Sequence, residues 1–227
     1  MKPKEIFITG GTGYLGRPLI AELVRRGHSV RAVVRPGSEA KLPAGCVPVI
    51  GNALDGESYR AQIQPGATFV QLVGVAHPSP SKAAEFQSVD LKSATGAVQA
   101  AKAASVEHFV YLSVAHPAPA MKAYIEVRAQ CESIIRESGL YATILRPWYV
   151  LGPGHRWPYV LLPMYWLAER LPKTREGARR LGLVTHKQMV EALLRAVENP
   201  SRGMRIVEVP EIRGSAEGAR AGAGAHA

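Results

Sequence analysis

Residues 5–16, Glu5-Ile6-Phe7-Ile8-Thr9-Gly10-Gly11-Thr12-Gly13-Tyr14-Leu15-Gly16, decide the fold. A short apolar run enters a glycine cluster, and a helical pattern of Leu15, Leu19, Ile20, Leu23 and Val24 follows and closes at Gly27. The order is strand, tight turn, helix. The glycines satisfy GxGxxG (Gly11, Gly13, Gly16) and also GxxGxxG (Gly10, Gly13, Gly16). Alone such a match means little. Between a predicted strand and a predicted helix, it marks a turn whose bare backbone admits a pyrophosphate, facing free helix N–H groups and the positive end of the helix dipole. Gly10, Gly11, Thr12, Gly13, Tyr14, Leu15 and Gly16 are the first candidates for holding a dinucleotide. A glycine turn that binds nothing is the bland alternative.

Outward from this turn, strands and helices alternate. Val30 to Val34, Val47 to Ile50, Thr68 to Val73, His108 to Leu112 and Tyr141 to Leu145 read as buried strands. An alanine-rich helix is predicted from Lys82 to Ala104 and another from Met121 to Glu137. Strands that are apolar throughout, rather than at every second residue, belong to a parallel sheet covered on both faces. The fold class expected is α/β, a doubly wound parallel sheet of the Rossmann type with a small C-terminal lobe on the substrate side. A helix from Thr185 to Glu198 and a strand from Met204 to Val209 fall in that C-terminal part. The expected division is a core over residues 1–154, the lobe over 155–213 and a disordered tail over 214–227, since Gly214 to Ala227 holds almost no large apolar residues.

In this architecture an acidic residue at the end of the second strand would bind both adenosine ribose hydroxyls. This chain has Arg35 there, with Lys41 nearby. A guanidinium cannot accept hydroxyl protons but can fork onto a 2′-phosphate, so NADP(H) is expected over NAD(H), which stays the alternative. Arg35 pointing into solvent is the competing reading. Asn52 and Ala53, past the third strand, are placed to meet the adenine, and Leu72, Val73 and Gly74 close the fourth strand beside the same crevice.

Bulk properties narrow the class. The 227 residues are 47% hydrophobic, enough for one sizeable core. With only Cys46 and Cys131 and no secretory pattern before the first strand, a reducing, cytoplasmic setting is expected. The net charge of +10 is scattered over helices without any nucleic-acid-binding signature, so no nucleic-acid partner is expected. His77 and His116 precede prolines and have no partners at ligand spacing, so no metal site is expected.

Thr9 to Gly16 (TGGTGYLG), Val89 to Val114 (VDLKSATGAVQAAKAASVEHFVYLSV) and Ser138 to Gly154 (SGLYATILRPWYVLGPG) together resemble the atypical short-chain dehydrogenases/reductases of the NAD-dependent epimerase/dehydratase superfamily. The NmrA-like branch and the nucleotide-binding accessory subunits of complex I look most similar. The resemblance implies a serine at Ser113 that orients the substrate oxygen and a tyrosine at Tyr124 that exchanges its proton. The family's lysine, four residues on, is Arg128 here. Arg128 keeps a positive charge but cannot relay a proton, because a guanidinium stays protonated. The resemblance also implies that Arg128 and Pro147 border the nicotinamide end of the cofactor.

Two function classes follow: an NADP(H)-dependent oxidoreductase acting on a small carbonyl or quinone-like substrate, and a nucleotide-binding sensor or assembly factor without turnover. A sugar-nucleotide epimerase or dehydratase ranks last, since the substrate lobe is small. Trp157 to Leu171 (WPYVLLPMYWLAERL) crowds aromatic and apolar residues into one segment. It either roofs a pocket, docks on a membrane surface or protein, or forms the core of the lobe.

Overall fold

In the computed structural model, which describes residues 2–118, 120–152, 177 and 181–214, seven parallel strands form one sheet in the order β3-β2-β1-β4-β5-β6-β9. They are β1 (Glu5–Thr9), β2 (Ser29–Val34), β3 (Cys46–Ile50), β4 (Thr68–Gln71), β5 (His108–Leu112), β6 (Ala142–Arg146) and β9 (Met204–Glu208). A separate pair joins β7 (Tyr149–Leu151) to β8 (Leu183–Thr185), again parallel. The strand order reverses between β1 and β4, which opens a crevice at the carboxyl ends of those two strands.

Alternate residues along each strand feed two cores. Ile6, Ile8, Val70, Val110 and Leu145 face one layer, built on α1 (Gly16–Arg25) and α5 (His186–Glu198). Phe7, Phe69, Phe109 and Ile144 face the other, under α3 (Lys92–Ala103) and α4 (Lys122–Glu137). Register places Phe7 beside Phe69 and Phe69 beside Phe109, with ring centroids 5.4 and 5.2 Å apart. This aromatic row crosses the strands at the reversal, where large side chains packed on one another add stabilisation beyond their buried area.

Helix ends follow local chemistry. α1 stops where Gly27, at φ +83, adopts the left-handed turn and the N–H groups of Gly27 and His28 return to the carbonyls of Val24 and Leu23. α5 starts from a capping box, with Thr185 accepting from the Gln188 N–H and Gln188 accepting from the Thr185 N–H.

The expected plain helix from Lys82 to Ala104 is instead a series of segments. A 3-10 turn at Pro80–Lys82 and the short α2 (Ala83–Glu85) lead into a π-helical stretch, Phe86–Leu91, before α3 begins. That wider turn carries Phe86 and Asp90 inward. The fourth strand ends at Gln71 rather than Val73, although the Leu72 N–H still donates to the Thr9 carbonyl. β9 is the seventh strand of the main sheet and α5 packs beside α1, so residues 183–212 extend the central layers. The aromatic segment over 157–171 and the tail over 215–227 lie outside the described residues.

Candidate nucleotide and substrate site

A cleft of about 450 Å³ opens at the reversal, over the carboxyl ends of β1, β2 and β4. Gly10, Thr12 and Gly13 form one wall, Arg35, Ser38 and Lys41 a second, Asn52, Ala53 and Leu54 a third, and Leu72, Val73, Gly74 and Val89 the inner end. Among the described residues that line it, none is acidic. Four sequence regions spread over residues 10–89 meet here because the parallel register brings their strand ends together.

The glycine turn is tight enough to need its glycines. Gly10 has φ +79, and a Cβ there would lie 2.9 Å from the Leu72 carbonyl carbon. A Cβ on Gly16 would overlap the Gly10 carbonyl oxygen and stand 2.7 Å from the Gly11 Cα. Gly11, Leu15 and Gly16 are buried and shape the turn from beneath instead of lining the cleft. Tyr14 points elsewhere: its hydroxyl abuts Gly152, its ring meets His186 edge-on at 4.5 Å, and its carbonyl accepts from His186 Nε2 at 3.0 Å. The bare backbone of Gly10, Thr12 and Gly13 at the start of α1 fits a pyrophosphate, so the residues present suit a dinucleotide.

The β2–β3 connection folds Arg35, Ser38 and Lys41 together, since the Ser38 N–H donates to the Arg35 carbonyl and the Lys41 N–H to the Ser38 carbonyl. Asn52 Oδ1 is engaged by the Leu54 N–H at 3.0 Å. Its amide NH2 is therefore the group it can offer to a base.

Arg128 lies beneath the inner end of the cleft. Its Nη2 is 2.6 Å from Asp90 Oδ1, and its Nη1 donates to the Leu112 carbonyl at 2.7 Å and the Tyr111 hydroxyl at 3.1 Å. A Cβ on Gly74 would overlap this guanidinium. Asp90 also accepts from the Val75 N–H at 3.0 Å. Burial pushes the Asp90 carboxyl up, and Arg128 and that N–H pull it back only in part. Tyr124 packs on Phe86 with ring centroids 4.9 Å apart, and the Arg128 guanidinium lies 5.1 Å from its ring centroid. Burial raises the Tyr124 phenol above its ordinary range, against the opposing pull of Arg128.

Ser113 is 4% exposed and donates to Glu132 Oε1 at 2.5 Å. Glu132 is also held by Arg146, through Nε at 3.0 Å and a second bond from Nη2 to Oε2. Burial works against the charge on Glu132, but Arg146 and Ser113 outweigh it and hold the carboxyl below its usual range. Arg146 continues to Glu208 at 3.0 Å. Pro147 is buried and does not line the cleft; its carbonyl accepts from the Ala115 N–H at 2.8 Å.

Several of these groups carry no motif. Thr9 donates to Gln71, Gln71 to Ser93 at 3.0 Å, and Ser93 to the Asp90 carbonyl at 3.1 Å, a buried polar line running from β1 to the Arg128 pair. A sequence signal existed for Glu132: Tyr124, Arg128 and Glu132 are spaced by four, which sets all three on one helix face. Among the described residues no group of three or more His, Cys, Asp or Glu is disposed to hold a metal ion, and no helix is long and apolar enough to cross a membrane.

A doubly wound sheet reversing at a glycine-lined cleft defines a nucleotide-binding Rossmann protein. The chain belongs to the NAD(P)H-binding family, which it matches over residues 10–160. Its cofactor is a nicotinamide dinucleotide. It is 28% identical over 222 residues to a 4-hydroxy-2-methyl-3-oxo-4-farnesyl-3,4-dihydroquinoline-1-oxide ketoreductase of Stigmatella aurantiaca, covering 87% of this chain and 65% of that one. It is 27% identical over 146 residues to the photosystem II assembly factor Ycf39 of Cyanophora paradoxa, covering 63% of this chain and 44% of that one. The chain thus spans less than two thirds of either relative. Among solved structures, the Bordetella bronchiseptica enzyme WbmH in complex with NAD+ shares the fold with a TM-score of 0.67 at 22% identity, over 90% of this chain and 75% of that one.

Proposed function

We propose that the chain is an NADP(H)-dependent oxidoreductase that reduces a small carbonyl or quinone-like substrate. One observation carries this reading: Arg35, Ser38 and Lys41 border the same cleft as Gly10 and Gly13, with no acidic residue among the described lining, which suits a phosphate at the adenosine ribose and not a pair of bare hydroxyls. Gly10 and Thr12 offer backbone N–H groups to the pyrophosphate, Gly13, whose own N–H is taken by the Gly10 carbonyl, leaves room for it, Asn52 and Ala53 meet the adenine, and Leu72, Val73 and Gly74 lie toward the nicotinamide end. The bound nicotinamide supplies a hydride. Tyr124 donates the proton, and Arg128 stabilises the phenolate left behind. The ketoreductase from Stigmatella aurantiaca supports a carbonyl acceptor.

A second reading, a nucleotide-binding assembly or sensor protein without turnover, draws on the burial of Arg128 in its pair with Asp90 and on the similarity to the assembly factor Ycf39. Binding and turnover separate the two. NADPH fluorescence titration, set beside NADPH consumption over a panel of quinones and carbonyls, should show both saturation and oxidation. Binding without oxidation across the panel, together with no loss of cellular function on Tyr124→Phe, would favour the second reading. Arg35→Asp should shift the NADPH over NADH affinity ratio by about tenfold or more toward NADH, as expected when a charged hydrogen bond is lost. An unchanged ratio would remove the NADP(H) assignment.

A further inference from the structure

Hydride addition to a carbonyl builds negative charge on the oxygen, and preorganised donors aimed at that oxygen lower the barrier. Tyr124 is one donor. The hydrogen of the Ser113 hydroxyl is directed at Glu132, so Ser113 cannot serve as the second without leaving a buried carboxylate short of a bond. His116, three residues further on, faces the same carboxylate. Its Nε2 is 3.4 Å from Glu132 Oε1, and its side chain is 22% exposed where that of Glu132 is 3%.

The protonation pattern follows from the partners. Arg146 and Ser113 keep Glu132 ionised, and an ionised carboxylate only accepts, so Nε2 carries the hydrogen. The nitrogen left to meet a ligand is Nδ1, which bears a hydrogen only in the imidazolium. The groups facing the ring are Glu132 from α4 and, beyond that carboxylate, Arg146 from β6, which is tied to Glu208 from β9.

Contacts also connect His116 to the cleft. Gly74 borders the cleft and abuts Arg128, Arg128 bonds the Leu112 carbonyl, and Ser113 and His116 follow on the same loop. That loop lies beyond the carboxyl end of β5, on the side where substrates sit in this fold.

We infer that His116, held on Glu132, donates from Nδ1 the second hydrogen bond to the substrate oxygen, in place of Ser113; this rests on the reductase reading. In the reaction the carbonyl carbon receives the hydride from the reduced nicotinamide and its π pair moves to oxygen. The oxygen takes the Tyr124 proton, the phenolate regains one from solvent, and His116 keeps its own throughout.

The test is steady-state reduction of 9,10-phenanthrenequinone by NADPH with the wild-type chain and His116→Asn. In His116→Asn, kcat/KM for the quinone should fall about tenfold while KM for NADPH, NADPH affinity and the melting temperature are retained. Reduction that His116→Asn leaves untouched, or a loss that falls equally on KM for NADPH, would overturn the role of His116 alone. No NADPH oxidation by the wild-type chain with this quinone or any other quinone or carbonyl of the panel would overturn the reductase reading and this role with it.

Discussion

Arg128 shows how one substitution redirects a site. A lysine at this position in the resembling family would offer three rotatable donors to the cofactor; Arg128 commits its fork to Asp90, the Tyr111 hydroxyl and the Leu112 carbonyl. Gly74 is required above it, because any side chain there would displace the guanidinium. Removing one member of a buried pair leaves the other charge without compensation, whereas removing both leaves an apolar site. Arg128→Ala should therefore cost about 3–5 kcal/mol in urea unfolding, and Arg128→Met with Asp90→Leu should recover most of that loss. An Arg128→Ala cost below about 1 kcal/mol, the range of exposed ion pairs, would show that the pair is solvated. Glu132 obeys the same logic one helical turn further along, and its cost is shared among Ser113, Arg146 and His116.

Strand β5 carries a titrating group at its opposite end. His108 is fully buried, with Nε2 3.0 Å from Thr143 Oγ1 and 3.4 Å from Ser201 Oγ. Burial, aided by the charge of Lys4, lowers its pKa to about 4. The unfolded chain binds the proton near pH 6.5 and the folded one does not, so stability is full above that value and falls as pH drops toward 4. Urea unfolding should lose about 2 kcal/mol between about pH 7.5 and pH 5 from this residue. His108→Gln should flatten that slope, and an equal loss in the variant would assign the effect to other groups. The same element shows what was legible in the sequence. His108 to Leu112 reads as a buried strand because its apolar run stands between helical patterns, yet nothing in the run announces that His108 would be buried neutral. The π-helical turn at Phe86–Leu91 was hidden by an alanine-rich sequence that suits an ordinary helix, and β7 and β8 are three-residue strands too short to show a period. In the sequence Thr9 reads as a strand end and Gln71 as an interior strand position; register makes them neighbours and so partners in a buried bond.

At the scale of the whole molecule, chain reversal between β1 and β4 does what no single motif does: it sets four loops around one cleft. The glycine turn, Arg35, Asn52, Ala53 and Leu72 to Gly74 were readable because each lies just past a strand whose apolar pattern is strong. The catalytic side was less readable, since the diversion of Ser113 and Arg128 depends on Glu132 and Asp90, distant acidic residues that look like solvent-facing positions until packing is known. Calorimetric titration of the full chain with NADPH tests most directly whether the cleft holds a nicotinamide dinucleotide. It should saturate at one site per chain, while Gly13→Ala, whose added methyl would stand at the mouth of the turn 3.1 Å from the Gly10 carbonyl, should melt like the wild type and bind about tenfold or more weakly. No saturable heat with either NADPH or NADH, or full affinity in Gly13→Ala, would contradict a dinucleotide seated on that turn.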